Sequence, residues 1–386
     1  MKIAMDARSL FEKQKTGIDW TIEKIISHIE IEPQNEYWLN YFALRKKKQK
    51  RLMMEPYVRR GYKLRICGFF SFALYRRIWN VIPIPYSWFM GRDTDITQFF
   101  NYVIPPGVKG EKALYVYDMV YRACPETMEE TTRMYMERNV ENSCRRADFI
   151  ITISEFSKNE IIKYLEISSE RIYVVPCGVD LSVYNPNINE RKVAAVRKKF
   201  QINRPYYLYL GTLEPRKNIA MIVNAYCKVK EKKLDKLPQL VIAGKRGWGY
   251  QELFEMVQKY GLQEDIIFTD YISEEEKPPL LKGAICFLFP SLYEGFGMPP
   301  LEAMACGTPV IVSDQASLPE VVGDAGILVN PQDSEMMARH MKRLYDEPDY
   351  RKQLSQKCRK QAERFTWKIA ASKLMEVYET ILDKSK

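Results

Sequence analysis

The stretch that most constrains the fold is residues 289–310, where a short apolar segment, a glycine loop and a helix start follow one another. Residues 285–289 are apolar and too few for a helix, so they predict a buried strand. Pro299 and Pro300 are acceptable only at the start of a helix, and Gly307 is a typical helix end. The stretch therefore predicts a strand, a loop and a helix in succession, the repeating unit of a parallel sheet.

Two carboxylates flank the glycine loop of this corner. Glu294 lies on the strand side, and Glu302 is expected in the first turn of the helix. Backbone N–H groups of a glycine loop and of a helix N-terminus attract anions and hydroxyl-rich ligands. The corner is therefore either a binding site or an ordinary turn in which Glu302 complements the helix dipole.

Length and composition narrow the class of protein. At 386 residues the chain is long enough for two domains. Its eight cysteines include no Cys-x-x-Cys pair and it has two histidines, which argues against a disulfide framework, a zinc site and a Ser-His-Asp triad. No apolar run reaches the length of a membrane span, and the strand-like start is unlike a signal peptide. We expect a cytoplasmic protein, bound to the inner face of the cell membrane at most peripherally.

Strand-like and helical segments alternate along the chain, which predicts parallel sheets with helices on both faces. A polar, turn-rich stretch at residues 184–189 divides two such series. The predicted fold class is α/β, with two Rossmann-like, doubly wound domains at residues 1–183 and 184–365 that face each other across a cleft. Ligands bind beyond the carboxyl ends of the strands in this architecture.

Three helix starts are predicted from local signals. Pro125, followed by three glutamates, is expected to open one helix. Ser157 and Glu160 have the spacing of a capping box and are expected to start the next. Asn218 is expected to cap a third helix with its side chain.

A second corner at residues 210–219 carries two cations where a strand is predicted to end. The strand ends at Gly211, and Arg216 and Lys217 precede the helix. Arg can bind a phosphate through two parallel hydrogen bonds, and Lys supplies a point charge. Together the two corners predict a nucleoside diphosphate across the second domain, with Glu302 accepting bonds from ribose hydroxyls. The chain has neither G-x-G-x-x-G nor G-x-x-x-x-G-K-[ST], which argues against a dehydrogenase and a P-loop kinase.

Basic residues are concentrated between Asn40 and Arg92. This window holds 13 basic residues against the single acid Glu55, a net charge of +12, and aromatic residues are interleaved with them. The mixture fits a patch at residues 45–89 that lies on an anionic membrane surface. The alternative is a solvated basic face beside an aromatic core segment. Nucleic acid is the other polyanion to consider, and we do not expect it as a partner.

Taken together, these motifs resemble a known family. Glu294-Gly-Phe-Gly-Met-Pro-Pro-Leu-Glu302 resembles the paired-glutamate signature of retaining glycosyltransferases of family 4, which have the GT-B fold. The likeness is strongest from Tyr206 to Pro331 and covers nearly the whole chain. The other matching segments are Gly-Thr-Leu-Glu-Pro-Arg-Lys-Asn at 211–218, Ser317-Leu-Pro-Glu320, Thr152-Ile-Ser-Glu-Phe-Ser157 and Met5-Asp-Ala-Arg8 with Thr16-Gly17.

The resemblance implies a retaining transferase that moves a hexose from a nucleotide-diphosphate sugar to a glycan or lipid-linked acceptor in surface-polysaccharide synthesis. The sequences of these motifs are most similar to those of bacterial mannosyltransferases. GDP-mannose is therefore the first donor expected and a UDP-sugar the second. The resemblance implies no metal and no cofactor. The alternatives are a GT-B epimerase or phosphorylase, or a non-catalytic subunit that binds nucleotide sugars. The first domain would bind the acceptor and the second the nucleotide sugar, and a final helix at 366–386 would cross back onto the first domain.

The resemblance also implies roles for particular residues. Arg216 and Lys217 would neutralise the donor diphosphate, Glu294 would contact the sugar and Glu302 the ribose. The nucleobase would rest near Tyr271 and Ile272. The implied catalytic residues are Arg216, Lys217, Glu294 and Asp118, and the implied donor-binding residues are Gly17, Tyr117, Gly211, Gly244, Tyr271, Ile272, Gly295, Phe296, Gly297 and Glu302.

One position departs from the family pattern. Many relatives have a His-Asp pair where this chain has Tyr117 and Asp118. A phenol donates a hydrogen bond but is not cationic at neutral pH, so the sugar would be recognised differently here. The alternative is that Tyr117 is a buried tyrosine at the end of a strand.

Overall fold

The computed structural model describes residues 1–12, 15–79, 81–232 and 237–384. The chain forms two compact units. The first unit comprises Met1–Ala123, Glu130–Gly178 and Trp367–Lys386, and the second comprises Cys124–Glu129 and Val179–Thr366. Among the described residues, no helix is both long enough and apolar enough to cross a membrane.

The first unit is built on a seven-stranded sheet in the order β3-β2-β1-β4-β5-β6-β7, and all of its neighbouring strands are parallel. β1 lies between β2 and β4, and its apolar residues are buried on both faces of the sheet, as is usual for parallel strands. The strands are β1 Lys2–Asp6, β2 Glu36–Phe42, β3 Lys63–Cys67, β4 Ile96–Phe99, β5 Glu111–Tyr115, β6 Phe149–Thr152 and β7 Ile172–Val174.

Helices connect these strands, and the last helix of the chain belongs to the same unit. That helix, α17, packs on α1, and its buried Tyr378 hydroxyl donates to Gln98 Oε1 on β4 at 2.8 Å. The helices are α1 Gly17–His28, α2 Lys47–Met53, α3 Glu55–Arg59, α4 Phe72–Trp79, α5 Ser87–Met90, α6 Val120–Ala123, α7 Glu130–Arg146, α8 Glu155–Leu165 and α17 Trp367–Lys384.

The second unit has a six-stranded parallel sheet in the order β10-β9-β8-β11-β12-β13. Its strands are β8 Tyr206–Leu210, β9 Gln239–Ala243, β10 Ile266–Asp270, β11 Phe287–Phe289, β12 Val310–Ser313 and β13 Ile327–Val329. Its helices are α9 Glu190–Lys199, α10 Ile219–Glu231, α11 Gln251–Lys259, α12 Lys277–Lys282, α13 Met298–Ala305, α14 Leu318–Val322, α15 Ser334–Asp346 and α16 Pro348–Ala362.

The predicted α/β class and the parallel sheets are confirmed. In each sheet the strand order reverses beside the first strand, at β1 and β4 in the first unit and at β8 and β11 in the second. The loops on either side of such a switch point diverge and leave a crevice beyond the carboxyl ends of the strands. Each unit therefore has a place for a ligand at the end of its own central strands.

Two predicted helix starts are wrong. Pro125 opens only a short 3-10 turn, because the chain is extended again at Met128, and α7 begins at Glu130. Helix α8 begins at Glu155, since the side chain of Ser154 accepts the N–H of Ser157 at 3.0 Å and caps the helix earlier than predicted.

Several elements were not predicted or have other bounds. The window between residues 40 and 92 contains β3 and the short helices α2 to α5, which its mixed basic and aromatic pattern did not indicate. Helix α16 was also missed. The strand expected at residues 285–289 is paired as a strand only from Phe287, although the Ile285 N–H still donates to the Tyr206 carbonyl.

Candidate functional site

Bare backbone forms one side of the site in the second unit. Leu210 and Ala243 pair at the ends of β8 and β9, and Gly211 and Gly244 follow them directly. Gly244 has φ +142°, and a Cβ on it would lie 1.9 Å from the Gly211 carbonyl oxygen. A Cβ on Gly211 would lie 2.8 Å from the Tyr209 hydroxyl. Gly244 is required because the two strand ends approach too closely for a side chain there, whereas a side chain at Gly211 would have to displace the Tyr209 hydroxyl.

The loop after β8 is tied to other loops of the same unit by Asn218. This residue has φ +55° and makes no side-chain cap, so the predicted capping role is wrong. Its amide nitrogen donates instead to the carbonyls of Pro290 at 3.2 Å and Pro331 at 2.8 Å. The left-handed backbone turns the side chain away from the helix and toward the ends of β11 and β13. Asn218 thereby fixes the position of the preceding turn, which carries Arg216 and Lys217.

The predicted catalytic residues of the two corners come together at Glu294. Its Oε1 accepts from Lys217 Nζ at 2.5 Å and from the Ser291 hydroxyl at 2.5 Å, and its Oε2 lies 3.3 Å from Arg216 Nη1. Arg216 also donates to the Tyr293 carbonyl at 2.6 Å. All four charged and polar groups are largely withdrawn from solvent. The arrangement is a preformed cluster of two cations held by one carboxylate.

The electrostatics of this cluster favour an ionised Glu294. Burial alone would raise the pKa of Glu294, but the charges of Lys217 and Arg216 outweigh it and hold that pKa below its ordinary value. A carboxyl group with a low pKa is a poor proton donor at neutral pH. The charge of Arg216 is balanced in part by Glu214, whose Oε1 accepts a hydrogen bond from the guanidinium at 2.9 Å. An incoming anion would compete with these carboxylates for both cations.

The glycine loop is held in shape by Ser317 and by one glycine. The Ser317 hydroxyl donates to the carbonyls of Glu294 and Phe296, both at 2.9 Å. Gly297 has φ +113°, and a Cβ there would lie 2.7 Å from the Leu318 side chain. Phe296 is buried and packs against Phe365. Gly295 lies between Glu294 and this packed phenylalanine, so the segment offers backbone to a ligand and keeps its side chain inside.

Glu302 lies in the second turn of α13 rather than in the first, where it was predicted. Its distance from the helix end rules out dipole complementation as its purpose, because that effect is confined to the first turn. Burial raises the pKa of Glu302 to about 7, against the opposing charge of Lys277, and the Tyr184 hydroxyl hydrogen-bonds the carboxyl group. Part of the residue still reaches the surface. The group can therefore titrate near neutrality while part of it stays open to solvent.

Tyr184, Glu274 and Lys277 form a second polar cluster around Glu302 that sequence reasoning missed. Lys277 Nζ lies 2.6 Å from Glu274 Oε1. Burial would lower the pKa of Lys277, but the carboxylates of Glu302 and Glu274 outweigh it and raise that pKa. Tyr184 lies in the stretch that was interpreted as a linker, and Lys277 lies at the start of α12. Neither position carried a local signal, because both acquire their role through contacts with α13.

The two residues expected beside the nucleobase differ in accessibility. The side chain of Tyr271 is 62% exposed, and Lys245 Nζ lies 5.4 Å from the centre of its ring. Ile272 is buried, so only its backbone could meet a ligand. Beside them, Arg246 donates to Asp270 at 2.7 Å. Tyr271 is thus the accessible aromatic surface at the end of β10.

Three of the predicted site residues lie in the first unit. Gly17 is the first residue of α1, after the cap Thr16, and a Cβ on it would meet nothing within 4 Å. Asp118 Oδ1 accepts from the Val120 N–H at 3.2 Å. Tyr117 is 3% exposed. Its hydroxyl has no hydrogen-bond partner within the described part of the chain, and burial raises its pKa well above the ordinary value. The structure therefore favours the alternative in which Tyr117 is a buried tyrosine.

Metal ligands are a separate question. Among the described residues, no three side chains of His, Cys, Asp or Glu converge as a metal site requires. The expectation that no cofactor is needed stays a prediction.

The chain matches two models of known families. Residues 192–361 match the model of the glycosyl transferases group 1, and residues 124–183 match that of glycosyltransferase family 4. A solved structure, Anabaena Alr3699/HepE in complex with UDP and glucose, has a TM-score of 0.71 over 98% of this chain and 100% of its own, at 16% identity. At that identity the likeness concerns the fold, which is GT-B.

Two relatives in Escherichia coli are similar in sequence. O-antigen chain mannosyltransferase B is 33% identical over 285 residues, which are 73% of each chain. Serotype-specific mannosyltransferase WbdA is 31% identical over 242 residues, 62% of this chain, and the matched part spans 30% of WbdA. The chain therefore belongs to glycosyltransferase family 4, among the glycosyl transferases of group 1.

Proposed function

We propose that this glycosyltransferase is a retaining, metal-independent mannosyltransferase that uses GDP-mannose and extends a glycan acceptor in surface-polysaccharide synthesis. The observation that carries the proposal is the meeting of Arg216 and Lys217 with Glu294 beyond the ends of β8 and β11. The names of the similar Escherichia coli proteins support mannose as the donor sugar and an O-antigen chain as the acceptor. A UDP-sugar is the second candidate donor, since the HepE structure that shares the fold holds UDP and glucose.

The two cations would bind the donor diphosphate. When the diphosphate enters, Arg216 and Lys217 replace part of their bonding to Glu294 with bonds to phosphate oxygens. As the bond from C1 to the diphosphate breaks, negative charge grows on the leaving phosphate, and fixed cations in a site shielded from water stabilise it most at that moment. The protein cations would supply the charge that a metal ion provides in other transferases.

Retention of configuration would follow from attack on the side that the diphosphate leaves. The acceptor oxygen forms its bond to C1 on that face, and its proton passes to the departing phosphate oxygen. Glu294 is ionised and held by Lys217, Arg216 and Ser291. It therefore has no proton to give, which supports a role in positioning the sugar.

Glu302 would bind the ribose hydroxyls with its ionised carboxylate. Tyr184 and Lys277 hold this carboxylate in place and leave it partly accessible. Two hydroxyl donors from one ribose would add favourable contacts to the charged form and lower its pKa on binding. The residue would thus act in donor affinity more than in the bond-breaking step.

The donor and the stereochemistry can be tested on the purified chain. Thermal shifts are measured with GDP, UDP, ADP and TDP, and sugar transfer or hydrolysis is followed with GDP-mannose and with UDP-glucose in EDTA. We expect GDP to raise the Tm most, GDP-mannose to be turned over without metal, and NMR of the first product to show the α-anomer. A β-product, or full dependence on added metal, would contradict the proposal. Nucleotide binding without any turnover would point to a non-catalytic subunit.

We further propose that the first unit lies on the anionic inner surface of the cell membrane. Within the window of residues 40–92, Tyr75, Trp79 and Tyr86 are buried, so part of the window forms an aromatic core segment, as the alternative interpretation expected. Other apolar side chains of the window are exposed beside the bases, an arrangement that favours a membrane surface. These exposed residues are Leu44, Leu52, Met53, Val58, Phe69, Leu74, Val81, Ile82 and Trp88.

Vesicle co-sedimentation tests the membrane proposal. Trp88 is 63% exposed, and replacing it with Ser should weaken binding to vesicles containing phosphatidylglycerol by several-fold. Trp248, exposed in the second unit, provides the matched control, and Trp248→Ser should leave binding unchanged. Equal and negligible binding of the unmodified protein to neutral and anionic vesicles would dismiss the proposal.

A further inference from the structure

One ion pair beyond the carboxyl ends of β9 and β10 lies outside the clusters around Glu294 and Glu302. Asp270 is the last residue of β10, and Arg246 lies in the loop that follows β9. The Nε of Arg246 donates to Asp270 Oδ1 at 2.7 Å, and its Nη2 donates to Oδ2 at 3.2 Å. Both oxygens of the carboxylate are therefore bound by a pair of parallel N–H donors.

The backbone holds Asp270 beside the glycines that line the site. β10 shifts register against β9 between Phe268 and Asp270, and Asp270 has φ +55°. A left-handed backbone is uncommon for a residue other than glycine, although Asp and Asn adopt it more readily than most. The Asp270 carbonyl accepts the Gly244 N–H at 2.9 Å. Asp270 is thus fixed between the bare backbone at Gly244 and the exposed ring of Tyr271.

The side chains of Asp270 and Tyr271 face the same loop. Arg246 binds Asp270, and its neighbour Lys245 has its Nζ 5.4 Å from the centre of the Tyr271 ring. The Asp270 side chain is 57% exposed, so a ligand can reach it. Nucleobases stack on exposed aromatic rings. A base that packs on Tyr271 would turn its edge toward the Asp270 carboxylate.

Guanine matches this carboxylate in the way that the guanidinium does. Its N1–H and its 2-amino group are adjacent, parallel donors, the same pattern that Arg246 presents to Asp270. Uracil and thymine offer one N–H between two carbonyl oxygens, and adenine offers an amino group beside a ring nitrogen that accepts. These three bases would set an acceptor against the carboxylate, which lowers affinity.

Displacement of Arg246 by a base would cost little. Arg246 is exposed, and an exposed ion pair adds little stability in water. The released guanidinium keeps aromatic neighbours, since its Cζ lies 5.6 Å from the centre of the Tyr250 ring and 5.2 Å from that of Phe254. Glu274, the next acid along the chain, is already paired with Lys277. Asp270 is therefore the acid at this edge that a base can claim.

We propose that Asp270 selects guanine as the base of the donor. Its two carboxylate oxygens accept from the N1–H and the 2-amino group, in place of the Arg246 guanidinium, while the base packs on Tyr271. The inference rests on the proposed use of a nucleotide sugar. It adds the residue that distinguishes GDP from the other nucleoside diphosphates, and Asp270 acts on donor binding, not on the bond that breaks.

Calorimetry on the full chain with GDP, IDP, XDP and UDP tests the assignment. The hypoxanthine of IDP has the N1–H of guanine but no 2-amino group, so IDP should bind about tenfold more weakly than GDP. In the xanthine of XDP a carbonyl oxygen replaces that amino group and would face the carboxylate. XDP and UDP should each bind more weakly than IDP.

Asp270→Asn should reverse the order of GDP and XDP. Asparagine tolerates the left-handed backbone, and its amide presents one acceptor and one donor. These match the N1–H and the 2-carbonyl oxygen of xanthine, so the variant should bind GDP at least about tenfold more weakly than the unmodified protein and bind XDP more tightly. A damaged fold would not produce a gain for XDP. An unchanged preference for GDP over IDP and XDP in Asp270→Asn would overturn the proposal.

Two further variants separate recognition of the base from the ion pair itself. Arg246→Gln removes the competitor of the base and should leave the affinity for GDP unchanged or raise it. Asp265, just before β10, is held by Arg204 and Lys230, each at 2.8 Å, and Asp265→Asn should keep the order of nucleotides. If Arg246→Gln loses as much affinity for GDP as Asp270→Asn, the pair joins two loops and does not recognise a base.

The binding measurements do not require turnover, so the two proposals fail separately. A protein that shows the expected order of nucleotides but never transfers sugar would refute the proposed function and leave the role of Asp270 standing. Transfer from UDP-glucose by a protein that binds GDP no better than UDP would refute the role of Asp270 and leave a glycosyltransferase.

Discussion

At the scale of residues, the site divides into groups that carry charge and groups that hold them. Glu294 keeps Arg216 and Lys217 together, and Ser291 fixes the same carboxylate from another side. Glu302 is different because burial raises its pKa to about 7. Two glutamates in one sequence motif thus have opposite pKa shifts, set by the cations near one and the burial of the other.

Donor affinity should depend on pH through Glu302. Its pKa is raised in the folded protein, so the carboxyl group is protonated below about pH 7 and accepts ribose hydroxyls fully only above it. The KM for the donor should rise by up to about tenfold per pH unit below pH 7 and be flat above pH 8. Steady-state kinetics across pH 5.5–9 give this profile.

The variant Glu302→Gln cannot titrate. Its KM should be high at every pH and should lose the slope below pH 7. Glu363, exposed at the end of α16, gives the control, and Glu363→Gln should keep the wild-type profile. An unchanged slope in Glu302→Gln would assign the titration to another group.

Tyr117 should tolerate the loss of its hydroxyl. Among the described residues this buried oxygen has no partner, so Tyr117→Phe removes an unsatisfied polar group and should leave the free energy of unfolding unchanged or raise it by about 1 kcal/mol. Tyr378 is equally buried, but its hydroxyl donates to Gln98, and Tyr378→Phe should cost about 1–3 kcal/mol. Urea unfolding measures both. A tenfold rise in donor KM for Tyr117→Phe would instead mean that the hydroxyl contacts the sugar.

At the scale of elements, short loops after parallel strands position the site. The sequence was sufficient to predict β8 and the start of α10, because the apolar run before Gly211 and the helical pattern after Asn218 are local signals. It was not sufficient to predict the role of Asn218, because the carbonyls that accept from its amide lie 72 and 113 residues away in the chain. The cluster of Tyr184 and Lys277 around Glu302 was missed for the same reason. Local sequence patterns predict the helices and strands, whereas contacts between distant residues determine the roles of the residues at their ends.

The close approach of β8 and β9 makes a prediction for Gly244. Gly244→Ala would place a Cβ 1.9 Å from a backbone oxygen at φ +142°, so the strand ends must separate. We expect a loss of stability of at least about 2 kcal/mol and a large fall in nucleotide affinity. Gly261→Ala is the control: its φ is +61° and its Cβ would meet nothing within 4 Å, so a cost of about 1 kcal/mol and normal nucleotide binding are expected. Chemical unfolding and calorimetry with GDP check both.

At the scale of the whole molecule, the chain has two parallel-sheet units, as the alternation of strands and helices predicted. One feature of this division has no signal in the local sequence: the segment Cys124–Glu129 belongs to the second unit. The position of α17 in the first unit was implied only by the family resemblance. The basic window was hard to interpret because its side chains divide between a buried aromatic core and an exposed apolar surface.

We expect Arg216 and Lys217 to stabilise the leaving diphosphate. The most direct measurement is the turnover of GDP-mannose by Lys217→Ala, compared with the exposed control Lys357→Ala in the same unit. Removal of one preorganised charge should lower kcat by about 10²–10³-fold. The Tm in the absence of nucleotide should also fall, because Glu294 loses a buried ionic partner, while the control retains full turnover and an unchanged Tm. Turnover of GDP-mannose by Lys217→Ala within twofold of the wild type would mean that the pair does not act on the leaving group.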